Sequence, residues 1–146
     1  MTRRTRSNLA AENARSVMRK IQMSESAGHI MIQYVGEAAI VETLNTRLSD
    51  EMTIQAWSDE ISAAIDKLQS QKRVILSFRN VKFMSSSALR ALISFKQKTD
   101  KKKIALFLCN INPTNMEIFK ITKLDTIFRI TPTEVEAQRA IVGSKY

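Results

Sequence analysis

Residues 74–90 read VILSFRNVKFMSSSALR, and this stretch decides the fold. Its first five residues, 74–78, form a nearly unbroken apolar run, which is typical of a strand covered on both faces. A polar loop follows, and then Phe83 and Met84 lead into three consecutive serines. Apolar residues at helical spacing predict a helix that runs to about Thr99, namely Ala88, Leu89, Leu92 and Ile93. The stretch is therefore a strand–helix unit, the repeating element of an α/β sheet.

Further strand signals lie on both sides of this unit. Residues 30–35 and 38–44 predict two strands, and the tight turn at Gly36-Glu37 makes them an antiparallel hairpin. Residues 104–109 form another fully apolar run, which predicts a second strand covered on both faces. A last strand is predicted at 127–130.

Three more helices are predicted from spacing and capping signals. The first buries a stripe that consists of Ile54, Trp57, Ile61, Ala64, Ile65 and Leu68. The second begins at Asn112-Pro113, a cap followed by proline at the first helical position, and runs toward Thr122. The third opens at Thr131-Pro132-Thr133-Glu134, with Pro132 at the first helical position, and runs to about Val142. The order β-β-α-β-α-β-α-β-α predicts an α/β fold: a mixed sheet with an N-terminal antiparallel hairpin, followed by β-α units whose helices pack on the sheet.

The chain has 146 residues and is 44% hydrophobic, which suits one domain with a core of its own. Its net charge is +9, and residues 1–26 supply +4 of that, from six basic residues against two acidic ones. We expect a basic N-terminal extension over residues 1–28, which is helical at 7–23 or flexible. The domain itself is expected at 29–142, followed by a tail at 143–146.

Residue counts exclude several classes of protein. The single cysteine, Cys109, excludes an internal disulfide and a multi-thiolate metal site, and the single histidine, His29, argues against a Ser-His-Asp triad. The three glycines do not form a phosphate-binding loop. From these residue counts together we expect no metal and no cofactor. No apolar run is close in length to the about 18 residues that a membrane-spanning helix needs. No apolar segment follows the N-terminal arginines as in a secretory signal, so a cytoplasmic location is expected.

The serines Ser85, Ser86 and Ser87 allow two interpretations. In the first, one serine caps the helix by accepting a hydrogen bond from an N–H group of the first turn. In the second, the helix N-terminus holds an anion, because its N–H groups and the positive end of its dipole favour negative charge. A phosphorylated serine there would change the surface charge without melting the helix. The residues alone leave both interpretations open.

Residues 83–89, Phe-Met-Ser-Ser-Ser-Ala-Leu, resemble the Phe-Met-Asp-Ser-Ser-Gly-Leu signature of the STAS domain family. This family of sulfate transporter and anti-sigma factor antagonist domains includes the bacterial anti-anti-sigma factors. Residues 109–113 and 119–128 are similar to the family's later segment, where a helix leads to a Leu-Asp-x-Ile/Leu-Phe phrase. The resemblance covers about residues 29–142 and implies a STAS-like fold.

The resemblance also implies a site. In the anti-sigma factor antagonists, a partner anti-sigma kinase phosphorylates the first serine after the motif aspartate, which corresponds to Ser86 here, with Ser85 and Ser87 as alternatives. The implied partner-binding surface comprises Ser49, Asp50, Ser85, Ser86, Ser87, Ala88, Leu89 and Arg90. The sequence departs from the family pattern at three positions: the motif aspartate is Ser85, the motif glycine is Ala88, and another acidic position is Ser49.

The leading hypothesis is a non-enzymatic regulatory binding module, an anti-sigma factor antagonist in a partner-switching pathway that controls transcription. Its partner would be an anti-sigma factor with serine-kinase activity, released when Ser86 is phosphorylated. One alternative is a STAS subunit of a transport or stress-signalling assembly that has no phosphoswitch. Another is a basic nucleic-acid-binding protein that uses residues 1–26, although the run Lys101 to Lys103 is typical of a solvated helix end and direct contact with nucleic acid is not expected. The sequence leaves the oligomeric state open.

Overall fold

The computed structural model describes residues 28–140, which contain a five-stranded mixed sheet and a separate two-stranded sheet. In chain order the strands are β1 (Ile30–Val35), β2 (Ala38–Thr43), β3 (Arg47–Leu48), β4 (Arg73–Ser77), β5 (Phe83–Met84), β6 (Ala105–Cys109) and β7 (Arg129–Thr131). The helix predicted over 7–23 and the tail predicted over 143–146 lie outside the described residues.

The larger sheet has the strand order β1-β2-β4-β6-β7. β1 pairs antiparallel with β2, and the remaining neighbours are parallel, as the predicted hairpin and β-α units require. A parallel connection must cross a face of the sheet, and the helices provide those crossings. They are α1 (Glu51–Asp66), α2 (Ser86–Lys101) and α3 (Pro113–Ile121), while α4 (Glu134–Arg139) follows the last strand and packs on the sheet. The predicted α/β class and mixed sheet are therefore confirmed.

The strands β3 and β5 were not predicted, because two residues are too few to show a period. They pair in parallel, and a hydrogen bond of 2.8 Å from the Lys82 amide to the Thr46 carbonyl supports the pairing. At its other end, the Ser85 amide donates to the Leu48 carbonyl at 2.9 Å. This small sheet joins the residues before α1 to the residues before α2.

Three predicted boundaries near the C-terminus are wrong. The strand predicted over 127–130 begins only at Arg129, because a 3₁₀ turn over Leu124–Thr126 continues with the Phe128 amide bonded to the Leu124 carbonyl at 3.1 Å. The last helix is capped by Thr133, whose hydroxyl accepts from the Glu136 amide, so Pro132 precedes the helix instead of opening it. That helix also ends at Arg139, before the predicted end near residue 142.

The sheet has a core on each face. On one face Leu76 packs in a large cluster with helix residues such as Trp57 of α1 and Phe119 of α3. On the other face Ile75 packs with Ala137 of α4. Neighbouring residues of β4 thus enter different cores, which explains why its sequence is apolar without alternation.

Trp57 ties three elements together inside the larger core. Its side chain is fully buried, and its indole N–H donates to the Thr43 hydroxyl of β2 at 3.0 Å. Its ring meets Phe95 of α2 edge-on, with the centroids 5.4 Å apart. The burial predicted for Trp57 is confirmed, and its hydrogen bond satisfies the one polar atom that this burial removes from water.

Removal of either partner in the Trp57–Thr43 hydrogen bond tests this description. Thr43→Val leaves the buried indole N–H without an acceptor, and we expect the free energy of unfolding to fall by about 1–3 kcal/mol. Trp57→Phe leaves the Thr43 hydroxyl unpaired in turn. In urea unfolding, the free energy of unfolding of the double variant should fall by less than the sum of the two single decreases, because neither partner remains unpaired. Strictly additive losses would show that the two groups do not interact.

Candidate functional site

The three serines have different positions at the start of α2. Ser85 is the N-cap: its backbone is extended and its hydroxyl accepts from the Ala88 amide at 3.4 Å. Ser86 is the first residue of the helix and its side chain is exposed. Ser87 is half-buried, and its hydroxyl accepts from the Arg90 guanidinium at 3.3 Å. Ser85 therefore caps the helix, while Ser86 is exposed to solvent.

A second helix begins beside this segment. Asp50 caps α1, and its carboxylate accepts from the Thr53 amide at 2.9 Å. That backbone hydrogen bond lowers the pKa of Asp50, which therefore carries its charge at neutral pH. The pairing of β3 with β5 and the bond from Ser85 to Leu48 bring the two helix starts together. Two helix N-termini, each with the positive end of a dipole, thus lie at one end of the fold.

The implied surface divides by exposure. Ser49, Asp50, Ser86 and Arg90 are exposed. By contrast, Ala88 and Leu89, which are also in the implied surface, are buried in the core with 0% and 7% of their area exposed. Ser85 and Ser87 are half-buried at its base. The exposed members come from the starts of two different helices, although they are far apart in the sequence.

Sequence reasoning missed Met52 at this end of the molecule. It lies in the first turn of α1, two residues after Asp50, and 86% of its surface is exposed. The available signal was its position in the helix, because Met52 falls outside the buried stripe that begins at Ile54. We call the surface formed by Ser49, Asp50, Met52, Ser86 and Arg90 the docking edge. It combines an exposed apolar side chain with charges of both signs and two hydroxyls.

The described residues offer little for other chemistry. Between residues 28 and 140, no three His, Cys, Asp or Glu side chains are grouped so as to hold a metal ion. In the same part of the chain, no helix is long and apolar enough to cross a membrane. Cys109 is buried in the core, as expected, and burial raises the pKa of its thiol to about 12.

The cysteine gives a simple measure of folding. A thiol reagent at about pH 8 should label Cys109 only in unfolded molecules, because the buried thiol is neutral and inaccessible. A low concentration of urea should raise the labelling rate in parallel with the unfolded fraction. The labelling rate is measured by the absorbance of the chromophore that the reagent releases. Rapid labelling without denaturant would contradict the burial of Cys109.

Alanine substitutions distinguish the capping serine from its neighbour. Ser85→Ala removes the N-cap of α2 and should lower the free energy of unfolding by about 0.5–1 kcal/mol. Ser86→Ala removes an exposed hydroxyl and should change it by less than about 0.5 kcal/mol. Urea unfolding followed by circular dichroism measures both. The assignment of the cap is contradicted if the Ser86 variant is the less stable one.

Comparison with known proteins places this geometry in a family. The STAS domain model matches residues 3–137. An anti-sigma F factor antagonist of Paenibacillus polymyxa is 25% identical over 118 residues, which span 81% of this chain and 91% of that protein.

Two solved structures share the fold. An anti-sigma factor antagonist from Mycobacterium paratuberculosis matches with a TM-score of 0.67 at 20% identity, over 77% of this chain and 92% of that one. The Bacillus cell fate determinant SpoIIAA in its phosphorylated form matches with a TM-score of 0.56 at 20% identity, over 75% of this chain and 97% of that one. The resemblance carried by residues 83–89 is therefore confirmed, and the chain belongs to the STAS domain family.

Proposed function

We propose that this protein is an anti-sigma factor antagonist that binds an anti-sigma factor through the docking edge and is released when Ser86 is phosphorylated. The matched relative from Paenibacillus polymyxa carries the name of such an antagonist. In this role the chain is a regulatory binding module, and the phosphate comes from its partner's kinase activity. The observation that carries the proposal is the position of Ser86, exposed at the start of α2, next to a different serine that caps the helix.

A phosphate on Ser86 fits the start of α2 without disturbing it. The helix N-terminus stabilises negative charge through its dipole and its first N–H groups. Arg90 lies one turn further along the helix, at the spacing where side chains meet, and its guanidinium already reaches the Ser87 hydroxyl at 3.3 Å. Ser85 keeps the cap because its own hydroxyl is not the one modified. The modification therefore acts on the surface and leaves the fold intact.

The same phosphate opposes a docked partner. It adds about two negative charges to a surface that already contains the ionised Asp50. A partner that packs against Met52 and Ser86 would have to desolvate that charge in the interface. In the unphosphorylated state, burial of a methionine side chain contributes roughly 1.5–3 kcal/mol to binding. Phosphorylation therefore favours release.

The serine at position 85, where the family motif has aspartate, bears on how the kinase recognises the site. Serine and aspartate are both strong N-caps, so the start of α2 is preserved without the carboxylate. The loss of that charge affects the surface next to Ser86 and not the helix. Ser85→Asp should therefore retain the fold and, if the carboxylate assists the kinase, increase the rate of phosphorylation.

Phosphate mapping with matched variants tests the proposal. The protein is incubated with ATP and the anti-sigma kinases of the organism that carries it, and the phosphate is located by mass spectrometry. We expect modification at Ser86, its loss in Ser86→Ala and its persistence in Ser87→Ala. Binding should be retained in Ser86→Ala, fall at least about tenfold in Ser86→Asp, and fall about tenfold in Met52→Ala. The proposal is contradicted if no phosphate is found in residues 85–87 and, in addition, the protein forms no complex with any of these kinases.

A STAS subunit without a phosphoswitch is the second candidate, favoured by Ser85 and Ser49 in place of family acids. Co-purification separates the two, because a transporter ATPase subunit instead of an anti-sigma factor should then accompany the chain. A role in nucleic-acid binding depends on residues 1–26, which lie outside the described residues. It requires binding that weakens steeply with salt and is lost when those residues are removed.

A further inference from the structure

The end of the fold opposite the docking edge has a different character. Because β4, β6 and β7 are parallel, they begin at one edge of the sheet, and α1, α2 and α3 end there. Two backbone hydrogen bonds mark this edge: the Ala105 amide donates to the Lys72 carbonyl at 3.0 Å, and the Lys72 amide donates to the Glu37 carbonyl at 2.8 Å. The hairpin turn between β1 and β2 lies at the same edge.

Lysines dominate this opposite edge. The side chains of six are exposed and form what we call the basic edge, consisting of Lys67, Lys72, Lys101, Lys103, Lys120 and Lys123. Lys102 also lies there, but its ammonium group donates to the Ile65 carbonyl at 3.1 Å and joins the ends of α1 and α2. The six lysines come from the ends of three helices and the loops that follow, so the fold, and not one sequence run, assembles them.

Few carboxylates offset these lysines. Four of the described carboxylates lie at the same edge and are outnumbered by the lysines. Asp66 pairs with Lys98 at 2.9 Å and Asp100 pairs with Lys96 at 3.0 Å, and the other two are Glu37 in the hairpin turn and Asp125 in the 3₁₀ turn. Among the described residues, no ion pair involves any of the six lysines of the basic edge. The edge therefore presents a concentrated positive field.

Two aliphatic side chains project within this basic region. Ile121 ends α3 with 79% of its surface exposed, and Ile127 follows the 3₁₀ turn with 47% of its surface exposed. Lys123 lies between them in the sequence and has a left-handed backbone with φ of 61°, where α3 ends and the 3₁₀ turn begins. Exposed aliphatic residues flanked by lysines are the pattern of a surface that enters the interfacial layer of a membrane.

We propose that the basic edge binds the surface of an anionic phospholipid membrane, with its lysines on the head groups and Ile121 and Ile127 inserted between them. Single-stranded nucleic acid is less favoured as the occupant, because its binding surfaces use exposed aromatic rings. The large apolar side chains exposed between residues 28 and 140 are all aliphatic or methionine. In this orientation the docking edge faces away from the membrane, so lipid and protein partner can be bound together. The proposal does not depend on the phosphorylation of Ser86.

Sedimentation of the full chain with lipid vesicles tests this proposal. We expect binding to phosphatidylcholine vesicles that contain phosphatidylglycerol, and none to phosphatidylcholine alone. Replacement of Lys101, Lys103, Lys120 and Lys123 by glutamine should lower the partition coefficient at least about tenfold, since each lysine near an anionic surface contributes about fivefold. The variant Ile121→Ser/Ile127→Ser should also lower it about tenfold, while the dependence on salt stays unchanged.

A charge-matched control addresses the basic residues near the N-terminus. Replacement of Arg3, Arg4, Arg6 and Arg15 by glutamine removes the same charge from residues that are not among the six lysines of the basic edge. Thermal melts establish that each variant is folded. Undiminished vesicle binding in the four-lysine variant would overturn the proposal, as would absence of binding by the unmodified chain. Binding to a nucleic-acid oligonucleotide in place of vesicles, lost in the four-lysine variant, would also overturn it.

Discussion

The structure depends on the parallel pairing of β2, β4, β6 and β7. Parallel strands must be joined by crossings, so α1, α2 and α3 start at one edge of the sheet and end at the other. The positive ends of the helix dipoles are therefore gathered at the docking edge, and the lysines that complete the helices are gathered at the basic edge. The two surfaces on which the functional proposals rest follow from one topological constraint.

Within that arrangement, the short β3–β5 sheet fixes the distance between the starts of α1 and α2. The bond from the Ser85 amide to the Leu48 carbonyl, 2.9 Å long, places the capping serine against the chain that leads to Asp50. Both helix starts are capped by side chains, so neither needs a bound anion to satisfy its first turn. A phosphate on Ser86 adds to a complete structure instead of completing a defective one, which is what a reversible switch requires.

Much of the fold was predictable because its signals are local. The apolar runs of β4 and β6, the glycine turn between β1 and β2, and the stripe around Trp57 each appear within a short stretch of sequence. The pairing of β3 with β5 was not predictable, since only a contact across 36 residues makes two-residue strands. The predicted start of β7 was wrong because the Phe128 amide donates to the Leu124 carbonyl of the 3₁₀ turn and is not part of the strand.

The site was predictable in part for the same reason. The motif at residues 83–89 located the segment, but the division of roles among the serines depends on which hydroxyl meets the Ala88 amide. The helical spacing already indicated that Leu89 faces the core and that Met52 lies outside the buried stripe of α1, but only the packing of the helices shows that Met52 and Ser86 lie at the same end of the fold. The face of the helix on which an apolar residue lies decides whether that residue packs in the core or remains exposed.

Hydrogen exchange of the complex tests the central claim most directly. Mass spectrometry of the protein with and without its anti-sigma factor reports which backbone amides gain protection. The account predicts protection in the peptides that contain residues 49–53 and 85–90, and none in those that contain residues 101–104 and 120–127. Protection confined to the latter peptides would place the partner on the basic edge and contradict the account.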